Sequence, residues 1–99
     1  MWYNNTVRIL NNKENGNMKH TIMLNTVNDV KEFVTAAGKV GFDIDAVTER
    51  HKIDAKSIMG VLSLDLSKPI EIKYNEKDER YSETDEKAFL TVIKRFIKE

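Results

Sequence analysis

The chain carries, at positions 56–66, its most informative stretch, Lys56-Ser57-Ile58-Met59-Gly60-Val61-Leu62-Ser63-Leu64-Asp65-Leu66. Serine is a preferred helix N-cap, because its side-chain oxygen accepts a hydrogen bond from an amide at the start of the helix. We therefore expect a short helix that begins after Ser57. Val61 and Leu64 should face the core, and Ile58 suits either side. The exposed remainder should form a surface for binding a partner protein, made by Lys56, Ile58, Met59 and Leu62.

Downstream of this stretch, the sequence predicts a strand and a helix. Residues 69–74 alternate between apolar and polar side chains, and Pro69 stands at the first strand position, where no ladder donor is lost. The charge-rich residues 76–87 are expected to form a solvated loop. The strongest helical stripe in the chain follows, with Ser82 or Thr84 as its N-cap. Its apolar members are Ala88, Phe89, Val92, Ile93, Phe96 and Ile97.

Upstream, the first long helix is predicted over residues 27–39. Its apolar stripe has the spacing i, i+3, i+4, i+7, and the glycines at 38 and 41 should end it. Thr26 is the expected N-cap, and Asp29 is placed for a weak capping box. Residues 42–47 alternate at period two and predict a half-buried strand, with residues 51–54 as its hairpin partner.

The first segment is rich in asparagine and contains two further candidate strands. Thr6 to Leu10 and His20 to Leu24 are separated by the turn signal Asn15-Gly16. We expect residues 1–17 to be an N-terminal extension or an extra edge strand, and residues 18–99 to form the main domain. A second hypothesis is that translation begins at Met18.

The predicted element order is β-α-β-β-α-β-α, with a possible extra strand in front. This order favours an α+β fold in which helices cover one face of a mainly antiparallel sheet, an open-faced sandwich. With 99 residues, the chain suits a single domain with one core.

Composition narrows the classes of function. The 16 basic and 16 acidic side chains cancel, so no net field attracts nucleic acid or an anionic membrane. The absence of cysteine excludes disulfides and thiolate metal sites. No apolar run is long enough to cross a bilayer, and residues 1–5 lack the features of a secretory signal. We expect a cytoplasmic protein that uses no cofactor.

The run from Lys56 to Leu64, followed by a strand like Pro69-Ile70-Glu71-Ile72, closely resembles the regulatory-serine segment of the histidine-containing phosphocarrier proteins (HPr) of the bacterial sugar phosphotransferase system. Weaker similarity extends over residues 20–98, carried by Lys39, by Asp43-Ile44 and by the last helix. The resemblance implies the HPr-like fold. It also implies protein partners of the phosphotransferase or catabolite-control type.

The family's phosphohistidine motif, Gly-Ile/Leu-His-Ala-Arg-Pro at the start of the first helix, has no match. Counting back from Ser57 without gaps places its histidine on Thr26, its arginine on Asn28 and its proline on Asp29. Threonine and asparagine supply neither an imidazole nucleophile nor positive charge. A carboxylate at Asp29 would repel an incoming phosphoryl group. We therefore interpret these three positions as a degenerate site and expect no catalytic residue.

Ser57 admits two interpretations. It is a helix cap alone, or it is the regulatory phosphorylation site that the resemblance implies. In the second case the protein is a non-catalytic, HPr-like regulatory module. One alternative is a true phosphocarrier whose acceptor is not recognised, and another is a small regulatory domain that binds a ligand between protomers.

The remaining polar groups favour structural roles. Asp43 and Asp45 are two residues apart on a predicted strand, with nothing apolar placed to separate their pKa values, so they should be a solvated face. His20 and His51 lack the ligand spacing of a zinc site, and no metal is expected. Oligomeric state is left open by the sequence.

Overall fold

A computed structural model describes residues 16–98 and contains four strands and three helices. In chain order they are β1 (Asn17–Ile22), α1 (Val27–Gly38), β2 (Asp45–Val47), β3 (Lys52–Asp54), α2 (Ile58–Leu62), β4 (Ile70–Asn75) and α3 (Glu83–Ile93). A 3-10 turn, Lys94–Phe96, follows α3. The order and class match the predicted β-α-β-β-α-β-α sandwich.

The strands form one antiparallel sheet in the order β1-β4-β2-β3. Alternation along β4 sets its two faces, because Ile70, Ile72 and Tyr74 are buried while Lys73 is exposed. Directly paired residues of antiparallel strands share a face, so His20 of β1 lies on the core face opposite Ile72. The other face carries ion pairs such as Lys19–Glu71 and Lys52–Asp45.

The core fills the space between the buried face of the sheet and the helices. Its largest fully buried side chains are Phe33, Phe42, Phe89, Ile22, Leu24, Ile44, Ile70, Ile72, Ile93, Val30 and Val61. Helices α1 and α3 pack side by side and run antiparallel. At one end Asp85 of α3 accepts from the Gly41 amide just beyond α1, and at the other end Arg95 binds Glu32 of α1. The predicted α+β open-faced sandwich is confirmed.

The first described strand begins earlier than predicted. The prediction of residues 20–24 is wrong at both ends, because the ladder covers Asn17–Ile22. Met23 leaves it to donate its amide to the Phe96 carbonyl at 2.9 Å, and Leu24 turns into the core. Gly16 precedes the strand with φ +78, a conformation that favours glycine. The predicted strand over residues 6–10 lies outside the described residues.

Two further boundaries differ from prediction. The strand predicted over residues 42–47 pairs only at Asp45–Val47, although Phe42 and Ile44 keep the predicted alternation and are buried. The loop predicted to last until Lys87 ends sooner, because α3 begins at Glu83. Ser82 caps this helix and its first turn is acidic, which suits the positive end of the helix dipole.

Candidate functional site

The start of α1 has the cap that the sequence predicts. The Thr26 side-chain oxygen accepts from the Asp29 amide at 3.0 Å. The reciprocal bond of a capping box is displaced by one residue, since Asp29 Oδ2 accepts from the Asn25 amide, also at 3.0 Å, instead of from Thr26. Asn28 is exposed beside them. A carboxylate therefore already occupies the amide-rich end of this helix.

Cationic charge reaches the same helix end from the 3-10 turn that follows α3. Arg95 places Nη1 at 3.8 Å from Asp29 Oδ1, and its Nη2 donates to Glu32 Oε1. The guanidinium also lies over the Phe96 ring, 4.3 Å from its centroid. This arginine is thus engaged by two carboxylates of α1, and what it neutralises is the protein's own negative charge.

His20 lies at the other end of the helix pair. Its Nε2 is 3.2 Å from the Tyr74 hydroxyl, and the two rings stack with centroids 5.9 Å apart. Tyr74 in turn donates to Glu86 in the first turn of α3. Because α3 runs antiparallel to α1, that first turn lies beside the end of α1, away from Thr26.

His51 is exposed in the turn between β2 and β3, where its carbonyl accepts from the Thr48 amide at 2.9 Å. It lines a surface cleft with Arg50, Ser63 and Lys68. Neither histidine of the chain is therefore at the start of α1. The residues found there are Thr26, Asn28 and Asp29.

Ser57 is exposed and caps α2. Its Oγ accepts from the Gly60 amide at 3.1 Å, and its carbonyl accepts from the Val61 amide at 3.0 Å. Ser57 thus caps the helix from an exposed position. The predicted helix start at Ser57 is confirmed by this geometry.

Gly60 is required by its surroundings. A Cβ at this position would lie 2.4 Å from Ile53 Cγ2 of β3 and 3.2 Å from Ser57 Oγ. Helix α2 therefore approaches β3 so closely that only glycine fits without movement. This close contact sets the distance between α2 and β3.

Exposed apolar side chains are concentrated on α2. The structure describes five large exposed hydrophobic residues in the range 16–98, and three of them, Ile58, Met59 and Leu62, belong to this five-residue helix. Met59 is 75% exposed, whereas Val61 is fully buried and Leu64 nearly so, as predicted. We call Ile58, Met59 and Leu62 the α2 patch. Val27, which opens α1 and is 57% exposed, is a fourth such residue that the sequence analysis missed.

Lys56 has a structural contact that its sequence position does not reveal. Its Nζ donates to the Val40 carbonyl at 2.7 Å, and its amide donates to Asp54 Oδ1 at 2.9 Å. The ammonium group thus binds a carbonyl just beyond the end of α1, where cations are favoured. Lys56 fixes α2 against α1, and its charge is already engaged beside the α2 patch.

A buried polar cluster was also missed by the sequence analysis. Glu86 is almost fully buried and accepts from the Tyr74 hydroxyl at 2.5 Å and from the Tyr81 hydroxyl. Burial, followed by the bond to Glu86, raises the pKa of Tyr74 well above its usual range. The bond to Glu86 comes first among the causes that raise the pKa of Tyr81. Tyr74 was counted only as part of a strand, and no sequence spacing links it to residue 86.

The two aspartates of the β2 region, Asp43 and Asp45, form ion pairs with different cationic residues. Asp43 is exposed and accepts from Arg80 Nη2 at 3.1 Å, while Asp45 lies 3.6 Å from Lys52 Nζ. Over residues 16–98 no group of three or more histidine and carboxylate side chains could hold a metal ion. Two features therefore stand out on the described surface. Ser57 caps α2 beside the α2 patch, and the carboxylate of Asp29 occupies the start of α1.

Comparison with known proteins identifies a protein family that this chain matches. Residues 29–99 match the family model PTS-HPr, described as the PTS HPr component phosphorylation site. The match begins at Asp29, so Thr26 and Asn28 lie just before it. A comparison with curated proteins gives no match.

Two solved structures are similar to this chain. The crystal structure of HPr-C-His from Thermoanaerobacter tengcongensis has 29% identity and a TM-score of 0.57, covering 78% of this chain and 91% of its own. The phosphocarrier protein HPr from Bacillus anthracis str. Ames has 21% identity and the same TM-score, covering 83% and 99%, and supports the fold alone. No helix within residues 16–98 has the length and apolar character needed to span a membrane.

Proposed function

Because this chain belongs to the HPr family of the sugar phosphotransferase system, we propose that it is a non-catalytic, HPr-like interaction module, switched by phosphorylation of Ser57. Proteins of this family carry phosphoryl groups and interact with phosphotransferase proteins, and they are not catalysts. The observation that carries the proposal is the position of exposed Ser57 at the head of the helix that bears the α2 patch. The module would act in the cytoplasm, where proteins of the phosphotransferase and catabolite-control type would be its partners.

The start of α1 supports a role without phosphoryl relay. A relay at this position needs an imidazole nitrogen that accepts and releases the phosphoryl group near neutral pH. Thr26 offers an alcohol whose oxygen is engaged with the Asp29 amide. The Asp29 carboxylate repels an incoming phosphoryl group, and Arg95 is already bound to two carboxylates. Phosphoryl transfer through this helix start is therefore unfavourable.

Phosphorylation of Ser57 would change what the α2 patch can bind. A phosphoserine carries about −1.5 to −2 charges near neutral pH, and at a helix N-terminus the dipole tolerates them. The new charge would stand directly before Ile58 and Met59, two of the three patch residues. A partner with an apolar pocket would have to desolvate that charge and would bind less tightly. A partner that presents arginine would bind more tightly.

The test compares the partners captured from host lysate by the wild-type protein, Ser57→Ala and Ser57→Asp. Ser82→Asp is the matched control, since Ser82 also caps a helix with its side-chain oxygen. We expect Ser57→Asp alone to change the identity or amount of the captured phosphotransferase or catabolite-control proteins. Equal capture by all four proteins would contradict a switch at Ser57.

A phosphocarrier function is the second candidate, and one observation favours it. His51 is exposed in a cleft that also contains Arg50 and Lys68, two cations that could attract a phosphoryl group. Glu49 and Asp65 line the same cleft and offset that charge. Incubation with phosphoenolpyruvate and enzyme I separates the two candidates. An acid-labile adduct that is lost in His51→Ala would establish the carrier, and its absence together with ATP-dependent modification of Ser57 would support the switch.

A further inference from the structure

A groove runs between α1 and α3 on the helical side of the molecule. Its volume is about 400 Å³, which is within the usual range for binding pockets. Half of its lining residues are small or apolar, namely Ala36, Val40, Ala88, Phe89 and Val92. Ala88 and Val92 are exposed on successive turns of α3, and Val92 is 41% exposed. The groove is thus an apolar surface separate from the α2 patch.

Of the charged side chains that line the groove, the two carboxylates have bonding partners within residues 16–98 and the two ammonium groups do not. Glu32 is bound by Arg95, and Asp85 accepts from the Gly41 amide at 3.1 Å. Lys31 and Lys39 also line the groove, and their ammonium groups make no hydrogen bond or ion pair within residues 16–98. The charge of Glu32 is therefore balanced by Arg95 and Asp85 is engaged by a backbone amide, while both lysines are available to an anionic ligand.

The spacing of the two lysines restricts that ligand. Lys31 lies within α1 and Lys39 is its C-cap, eight residues further on, which corresponds to about 12 Å along the helix axis. A ligand with two anionic groups at a similar separation can engage both ammonium groups without requiring the two side chains to converge. Acidic residues seven apart on a second helix are separated by about 10.5 Å, a close match. The small side chains Ala36 and Ala88 would let such a helix approach within the usual interaxial distance of about 8 to 10 Å.

The geometry points to a binding site for an acidic amphipathic helix of a partner protein, which lays its apolar face on the groove and pairs its carboxylates with Lys31 and Lys39. Recognition of this kind, with an apolar helix face in an apolar groove, is a recurrent binding mode. The protein's own residues 1–15 do not fit the charge pattern, since they contain two basic side chains, Arg8 and Lys13, and a single acidic one, Glu14.

The test uses three fluorescent helical peptides of about 18 residues, which is five turns. The first has leucine and alanine on one face, flanked by two glutamates seven residues apart. In the second the glutamates are lysines, and in the third the apolar face is serine. Binding is measured by fluorescence anisotropy against the wild-type protein, against Lys31→Glu with Lys39→Glu, and against a charge-matched control. The control is Lys68→Glu with Lys77→Glu, two exposed lysines outside the groove.

We expect saturable binding of the first peptide to the wild-type protein and to the control variant. Charge reversal at Lys31 and Lys39 should weaken it by about tenfold or more, and the lysine peptide should then bind the reversed variant better than the wild type. Backbone NMR shifts should centre on Ala36, Ala88 and Val92. The proposal fails if no peptide binds saturably, or if both double variants lose equal affinity. It also fails if decanoate alone produces the same shifts, or if concentration-dependent dimerisation produces them.

Discussion

The guanidinium of Arg95 lies 3.8 Å from the carboxylate of Asp29 and so joins the end of the last helix to the start of the first. Asp29 also accepts from the Asn25 amide, which makes one side chain both a helix cap and an ion-pair partner. These two roles can be separated by measurement.

We predict that Asp29→Ala lowers the free energy of unfolding by about 0.5 to 2 kcal/mol, because it removes a capping acceptor and a charge that favours the helix dipole. The coupling between Asp29 and Arg95 should be smaller, about 0.2 to 1 kcal/mol, since the Arg95 side chain is 55% exposed. Urea unfolding of both single variants and the double variant gives the coupling. A coupling larger than the cost of Asp29→Ala would contradict this order.

Replacement of the cap at Ser57 should have a modest cost. We predict that Ser57→Ala lowers stability by about 0.5 to 2 kcal/mol, because the Gly60 amide loses its acceptor. Ser57→Asp should cost less, since aspartate is also a good N-cap and its charge suits the helix start. Thermal unfolding of the two variants tests this order. Equal losses would mean that the hydroxyl itself, and not a capping acceptor, is required.

Because α2 lies close to β3 at Gly60, we predict that alanine is tolerated poorly at Gly60 and well at Gly38. Gly60→Ala should destabilise the fold by about 1 to 3 kcal/mol, because the new methyl group would lie 2.4 Å from Ile53 Cγ2. Gly38→Ala is the matched control, since nothing lies within 4 Å of its added Cβ. At this last helical residue of α1, alanine should be neutral or stabilising by up to about 1 kcal/mol.

Relief of the steric overlap provides a second test. The double variant Gly60→Ala with Ile53→Ala should be more stable than the sum of the single costs predicts, because removal of the Ile53 branch makes room for the methyl group. Chemical denaturation of the four proteins measures the difference. Strict additivity would show that the loss in Gly60→Ala has another origin.

The buried tyrosine and carboxylate cluster should make stability fall in alkaline solution. The pKa values of Tyr74 and Tyr81 are raised above the ordinary 10.0, so the folded state keeps protons that the unfolded state loses. Their contribution is complete below pH 10.0 and declines as the pH rises above it. Urea unfolding across this range should show the decline, and Tyr74→Phe should make it shallower. An unchanged slope in Tyr74→Phe would exclude Tyr74 as its source.

The sequence predicted helix starts and buried strand positions well, because a capping side chain and an apolar alternation each depend only on neighbouring residues. Ser57, Thr26 and Ser82 are N-caps, and the alternation through Phe42 and Ile44 reports burial. Strand ends were harder to predict, because the end of β1 depends on a bond from Met23 to Phe96, far away in the chain. The end of the loop before α3 was misjudged because its acidic residues suit a solvated loop and a first helical turn equally well.

The candidate site was predictable only in part. The exposure of Met59 and Leu62 followed from the helical period once Val61 and Leu64 were assigned to the core. The engagement of Lys56 with Val40 and the groove between α1 and α3 depend on how elements pack, and no spacing in the sequence contains that information. The cluster around Glu86 was missed for the same reason.

The bonds from Met23 to Phe96 and from Lys98 to Thr21 have a consequence for truncation of the chain. The first described strand needs β4 on one side and the segment after α3 for its final bonds. The segment after α3 therefore completes the hydrogen bonds at the end of β1. A chain shortened before Phe96 would lose both bonds and leave the end of this strand edge unpaired and open to association with other chains.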